Sequence, residues 1–371
     1  MSDSWSSVLA DWLWSAGKVS AVVVGIMGCL VAYIATKQDK LLYMPQPPGY
    51  PTDPSMFPPA MRSPAAYDAA LGWSWRELEI PTSDGELLHG WAMLQVGARA
   101  KEVPTLVFWH GNAGSVGSRL PMAAFLWAFT GCNVVMIDYR GFGKSTGVPS
   151  EAGLQLDGEA ALEFLGNMEA IDSCKIVLFG RSLGGALVAA NTATAPVAGC
   201  ALPANADSEC RAGPQVAAII MENTFTSIAD MVDNIMPTLA PLKGLVQRIF
   251  WPSLEYMARV RVPALLISGT HDTLVPPWMM TRLNDALVHA PHVLVPIPGG
   301  QHNNCWAPNV GRELYYRSIK DFAARHTQSD LKHAWAWSQE NLLKVMTVVT
   351  APGEDQMQIP SSAAGSTYTD K

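Results

Sequence analysis

The sequence predicts an α/β fold, a mainly parallel central sheet with helices on both faces, behind an N-terminal transmembrane helix. Two observations carry this reading. Apolar, β-branched-rich runs at residues 105–109, 133–138, 175–179, 217–221, 264–268 and 292–297 alternate with longer segments of helical spacing, such as 153–168 and 183–193. Strands separated by helices pair in parallel, and their crossover helices cover the sheet. The second observation is residues 19–35, an apolar run without a charge.

At about 1.5 Å per residue, that run reaches roughly 26 Å, near the lower limit for a spanning helix. Trp12 and Trp14 precede it, and Lys18 and Lys37 bracket it, as expected at the edges of a bilayer. A cleaved signal peptide is the rival reading. Against it, Asp3 and Asp11 stand ahead of the run and no A-x-A pattern follows. An uncleaved single-pass anchor is preferred, with residues 1–18 as a short leading segment. Lys18 on one side, against Lys37 and Lys40 on the other, leaves orientation nearly balanced.

Residues 45–64 are crowded with proline. Proline donates to neither helix nor sheet, so 36–72 reads as a stiff spacer holding the next domain off the bilayer. That domain is expected over 73–326. It opens with strand-like runs at 75–80 and 87–94 around Ser83-Asp84-Gly85, a hairpin that would start the sheet antiparallel. The remainder, 327–371, holds one amphipathic stretch at 331–345 and a Ser/Ala/Thr/Pro-rich end that reads as disordered.

Composition excludes some functions. The 371 residues carry a formal net charge of -7 and no Lys/Arg-rich run, so no nucleic-acid partner is expected. None of the six cysteines pairs at metal-ligand spacing. Neither a metal nor a cofactor is expected.

The strongest motif is Gly180-Arg181-Ser182-Leu183-Gly184, followed by Gly185. G-x-S-x-G alone is weak, but here the apolar run KIVLF leads in and LGGALVAA leads out. A sharp strand-to-helix turn presents a serine hydroxyl at the top of an α/β-hydrolase sheet, and the helix start offers unpaired N–H groups to developing negative charge. Such a serine needs a base, and the base needs an orienting carboxylate, in the chain order Ser, acid, His. Asp272 follows the run 264–268 and His302 follows 292–297, so Ser182, Asp272 and His302 are the expected catalytic residues. Glu222, at the end of 217–221, is the alternative acid. The oxyanion hole is expected from the N–H groups of Asn112, in the loop His110-Gly111-Asn112-Ala113-Gly114, and of Leu183. His110 reads as a loop brace. Asp138 reads as structural, bonded to backbone in the Tyr139-Arg140-Gly141 turn.

The stretches LLYMPQPPGYP, FWHGNAGSVGSRL, DYRGFGKSTGVPSEAGLQLD, GRSLGG, MENTFTSI, SGTHDTLVPP and GGQHNNCW occur in this order. Together they resemble α/β-hydrolase domain-containing protein 13 and the related fungal bud-emergence proteins, from about Leu41 to about Arg325. The resemblance implies a single-pass membrane serine hydrolase with its triad on Ser182, Asp272 and His302. Close cousins include protein depalmitoylases, which implies a fatty ester or thioester, on a lipid or a lipidated protein, as substrate. It also implies a catalytic domain facing the lumen or exterior rather than the cytosol. Residues 196–214 and the tail after His326 depart from the family pattern. Cys200 and Cys210 lie near the ends of that insert and are candidates for a disulfide. About 40 residues separate Glu222 from Pro263, with helical patterning at 227–235 and 242–257, enough for a small apolar cap but not a large lid. The expected activity is hydrolysis of an acyl ester or thioester, with a peptidase or amidase using the same triad, or a non-catalytic membrane scaffold, as alternatives.

Overall fold

The computed structural model describes residues 3–50, 57–194, 216–238, 240–307 and 310–349. The expected insert 196–214, its Cys200–Cys210 bridge and the end of the tail lie outside these residues. α1 (Asp3–Leu42) is one continuous helix containing the apolar run, and it is long and apolar enough to cross a membrane. After it come β1 (Ser74–Pro81), β2 (Leu87–Leu94), β3 (Thr105–Trp109), α2 (Leu120–Thr130), β4 (Asn133–Ile137), α3 (Glu151–Gly166), β5 (Ile176–Arg181) and α4 (Leu183–Thr194). The second half has β6 (Val216–Glu222), α5 (Ile228–Ile235), β7 (Ala264–Gly269), α6 (Pro277–Ala286), β8 (His292–Ile297), α7 (Arg312–Thr327) and α8 (Gln339–Val349).

Among the described residues, one eight-stranded sheet runs β1-β2-β4-β3-β5-β6-β7-β8. β1 and β2 form the expected antiparallel start, and β4 through β8 are parallel. Strand alternation sorts the core into two layers. Val107, Trp109, Leu178 and Met221 pack with Leu154 of α3, Leu187 of α4 and Met279 of α6. Leu106, Phe108, Phe179 and Ile220 pack with Phe125 of α2 and Tyr316 of α7 on the other face. The strand order reverses at β3, whose neighbours are β4 and β5. The crevice at the carboxyl ends of β3 and β5 is therefore where this architecture builds a site.

Three local expectations change. The cap stretch 242–257 is not one helix. Short helices Lys243–Val246 and Ser253–Met257 flank a break, where Pro252 follows Trp251 in the left-handed region at φ 38°. Proline disfavours helix in the residue before it. The tail helix starts at Gln339 rather than 331. Ser338 accepts from the Asn341 N–H and so caps it, while the preceding residues bring Trp337 to stack on Phe129 of α2 at 4.0 Å. That contact covers one end of α2, which is buried along its whole length. Finally, the described residues of the spacer on either side of 51–56 pack on the domain. The Trp251 indole donates to the buried Tyr43 hydroxyl at 3.0 Å. The Tyr50 hydroxyl accepts from the Ser115 N–H at 3.2 Å. A Cβ at Gly117 would meet the Met61 carbonyl at 2.6 Å. Apolar residues among the prolines give the strap something to bury, and stiffness lowers the entropy cost of laying it down.

Cys132 and Cys305 are buried free thiols, and Cys174 is disulfide-bonded. Burial pushes the Cys132 and Cys305 thiols up to about 12, so neither forms thiolate near neutral pH. Iodoacetamide at pH 8 should leave all three unmodified in the native protein. Denaturant alone should expose Cys132 and Cys305, and denaturant with reductant should expose Cys174 as well, as read by peptide mass spectrometry. Rapid native alkylation of Cys305 would contradict its burial.

Candidate active site

Ser182 is the residue between β5 and α4, and its backbone is left-handed at φ 54°. A non-glycine residue is uncommon there, and the cost is tolerated only where surrounding structure enforces it. The enforcement is visible. The Ser182 N–H donates to the Glu222 carbonyl at 2.9 Å, and the Thr224 hydroxyl donates to the Ser182 carbonyl at 2.7 Å. A Cβ at Gly180 would sit 2.1 Å from the Gly184 carbonyl, and one at Gly184 would sit 2.1 Å from the Trp109 carbonyl. The turn closes only with glycine at both positions.

The loop after β3 runs against this turn. A Cβ at Gly111 would lie 3.7 Å from Ser182 Cβ. Asn112 is held from the N-terminal side of the chain. Its carbonyl accepts from the Met44 N–H at 2.8 Å, and its side-chain amide donates to the Leu42 carbonyl at 2.8 Å. His110 is fully buried beneath, with Nδ1 2.7 Å from the Gly111 carbonyl and Nε2 3.4 Å from Asp138, the bracing role expected of it. Asp138 is structural but not through its own turn. Its carboxylate accepts from the Val116 N–H at 2.8 Å and lies 3.5 Å from His89 Nδ1. It thus ties the Asn112 loop to β2. The two imidazoles and the Val116 N–H hold the Asp138 carboxyl below its usual range against the opposing effect of burial.

Asp272 and His302 meet in the loops after β7 and β8. His302 Nδ1 lies 2.8 Å from Asp272 Oδ2. The other carboxylate oxygen accepts from the Leu274 and Val275 N–H groups, each at 2.9 Å, so the buried carboxylate has both oxygens occupied. No hydrogen bond joins Ser182 to His302 among the described residues, as is common without substrate. The two are linked through adjacent residues: Ser182 bonds to Glu222, and the Asn223 side-chain amide donates to the His302 carbonyl at 3.1 Å. Glu222 does not serve His302. Its carboxylate accepts from the Tyr315 hydroxyl at 2.7 Å, and burial raises its pKa.

Asn223 was not singled out in the sequence. It is buried, left-handed at φ 45°, and its side chain also accepts from the Gly269 N–H at 2.8 Å. One residue thus joins the loop carrying Asp272 to the loop carrying His302. Its sequence signals are its position one residue past Glu222, at the end of an apolar run, and its place in the stretch MENTFTSI, neither of which names its partners.

Residues 106–314 match the sequence model of the alpha/beta hydrolase family. The chain belongs to that family. Among relatives, the alpha/beta hydrolase domain-containing protein WAV2 of Arabidopsis thaliana is 33% identical, over 85% of this chain and 97% of its own. Protein bem46 of Schizosaccharomyces pombe is 34% identical, over 88% of this chain and 98% of its own. Among solved structures, the Pyrococcus furiosus esterase Pf2001 aligns with a TM-score of 0.54 at 20% identity, over 70% of this chain and 92% of its own. A Mycobacterium tuberculosis puromycin-hydrolyzing peptidase aligns at 0.55 and 18% identity, over 70% of this chain and 40% of its own. These two share the fold of this alpha/beta hydrolase. The likeness to WAV2 and bem46 covers more of the chain than the matched residues 106–314.

Proposed function

We propose that this alpha/beta hydrolase is a membrane-anchored serine hydrolase that cleaves ester or thioester bonds of acylated or lipid-like substrates, removal of fatty acyl groups from proteins included. Ser182 is the nucleophile, His302 its general base and then acid, and Asp272 the carboxylate that fixes the imidazole. The observation that carries this is the 2.8 Å contact of His302 Nδ1 with an Asp272 carboxylate whose other oxygen is capped by two N–H groups. It favours the tautomer with Nδ1 protonated and leaves Nε2 to accept the serine proton.

In the first step Ser182 Oγ attacks the acyl carbon, its proton passes to His302, and the carbonyl oxygen becomes an oxyanion. The N–H groups of Asn112 and Leu183 receive that charge, Leu183 at the first position of α4 where N–H groups lack helical partners. Collapse expels the alcohol or thiol, protonated by His302. Water, deprotonated by His302, then attacks the acyl carbon, and His302 returns the proton to Ser182 Oγ as the acid leaves. α1 supports the anchor. The Cys174 disulfide supports a catalytic domain facing an oxidising lumen or exterior.

Incubating the full-length protein with p-nitrophenyl esters and acyl thioesters of two to sixteen carbons, and with matched acyl anilides, tests the reading. Hydrolysis of esters and thioesters, increasing with chain length, is expected. Turnover of the anilides alone would replace it with an amidase, and no turnover or fluorophosphonate labelling would leave a scaffold.

A further inference from the structure

The cap between β6 and β7 exposes several large apolar side chains. Leu245 is 82% exposed, Phe250 53%, and Ile235 and Met236 48% each. The Lys243–Asp233 ion pair joins the short helix that carries Leu245 to the end of α5 that carries Ile235 and Met236, and Phe250 follows directly on residues 248–249, which Gln38 holds. One exposed leucine needs no explanation, but a cluster marks a contact site.

What borders the cluster identifies the contact. Gln38 of α1 donates to the Val246 carbonyl and accepts from the Arg248 N–H at 2.9 Å and the Ile249 N–H at 3.4 Å. Gln38 lies three residues beyond Ala35, the last residue of the uncharged run. At about 1.5 Å per residue, the cap touches α1 roughly 5 Å past the end of that run. Tilting α1 only lowers this height. A crevice of about 470 Å³, lined by Ala35, Thr36, Gln38, Asp39, Glu151 and Arg248 among others, follows the same junction.

We propose that this cap rim docks into the lipid bilayer, with Leu245 and Phe250 entering the boundary between headgroups and acyl chains. The occupant is the lipid surface itself, and the proposal rests on reading α1 as a membrane anchor. Apolar side chains gain by entering that boundary, and exposed Arg248 between them places its charge at headgroup level. An acyl chain then passes from the bilayer to the cap without crossing water.

The test uses the full chain in phosphatidylcholine vesicles, with a diazirine-bearing amino acid replacing Leu245, Ile26 or Val288 one at a time. Ile26 lies exposed on α1; Val288, 69% exposed, precedes β8 at the end of the sheet away from the site. Illumination should attach phosphatidylcholine at 245 and at 26, each about tenfold above 288, given the shallow depth such a surface reaches. Adducts at 26 with no more at 245 than at 288 would overturn the docking and leave the anchor standing. No adduct at 26 would remove the anchor reading and the docking with it.

Discussion

Ser182→Ala is expected to abolish fluorophosphonate labelling and to cut ester turnover by roughly a thousandfold or more. The hydroxyl is the only atom removed that chemistry needs. The turn itself is held through the backbone of residue 182, whose N–H donates to the Glu222 carbonyl and whose carbonyl accepts from the Thr224 hydroxyl, and alanine keeps both. Thermal unfolding should therefore stay close to that of the wild type, apart from the cost of alanine at a positive φ already borne by serine. Mass spectrometry of the labelled peptide provides the decisive readout. A mutant that still labels at the wild-type rate would place the nucleophile elsewhere.

Asp272→Asn should lower turnover by about ten-thousandfold, by analogy with other triads. Asparagine's carbonyl oxygen can still accept from the Leu274 and Val275 N–H groups, so the loop should hold. Its amide nitrogen would then face His302 Nδ1, where Asp272 Oδ2 stood at 2.8 Å. Two donors cannot share that contact, so the imidazole shifts to the tautomer that cannot take the Ser182 proton. Glu222→Gln should reduce turnover far less, because its side chain meets the Tyr315 hydroxyl rather than the imidazole. Comparing kcat for the two variants decides between the carboxylates, and the reverse ranking would reassign the acid to Glu222.

The legible parts were those with local causes. The parallel strands follow from apolar runs bounded by turn residues, and β3 and β8 match the expected ranges end to end. The place of Ser182 between a strand and a helix was legible from its motif, and the loop positions of Asp272 and His302 from the ends of the strands that precede them. What escaped depends on contacts between distant segments. α2 is apolar on every side, so periodicity shows no helical stripe. Asn223 bonds to residues 46 and 79 positions away, and nothing in its neighbours encodes that. Docking of the proline-rich strap was missed for the same reason: composition reports its stiffness but not the Tyr43, Tyr50 and Met61 contacts that hold it.

The single continuous course of α1 sets a ruler for catalysis. Its last residue, Leu42, is bonded directly to Asn112 beside Ser182, and Leu42 lies seven residues beyond Ala35, the end of the uncharged run. The rise along that segment is about 10 Å. If α1 spans a bilayer as proposed, helical geometry rather than linker slack would fix the altitude of the loop carrying Asn112. Bonds near the membrane surface would then fall within reach and those carried far above it would not, so substrates would be screened by elevation before their chemistry is read.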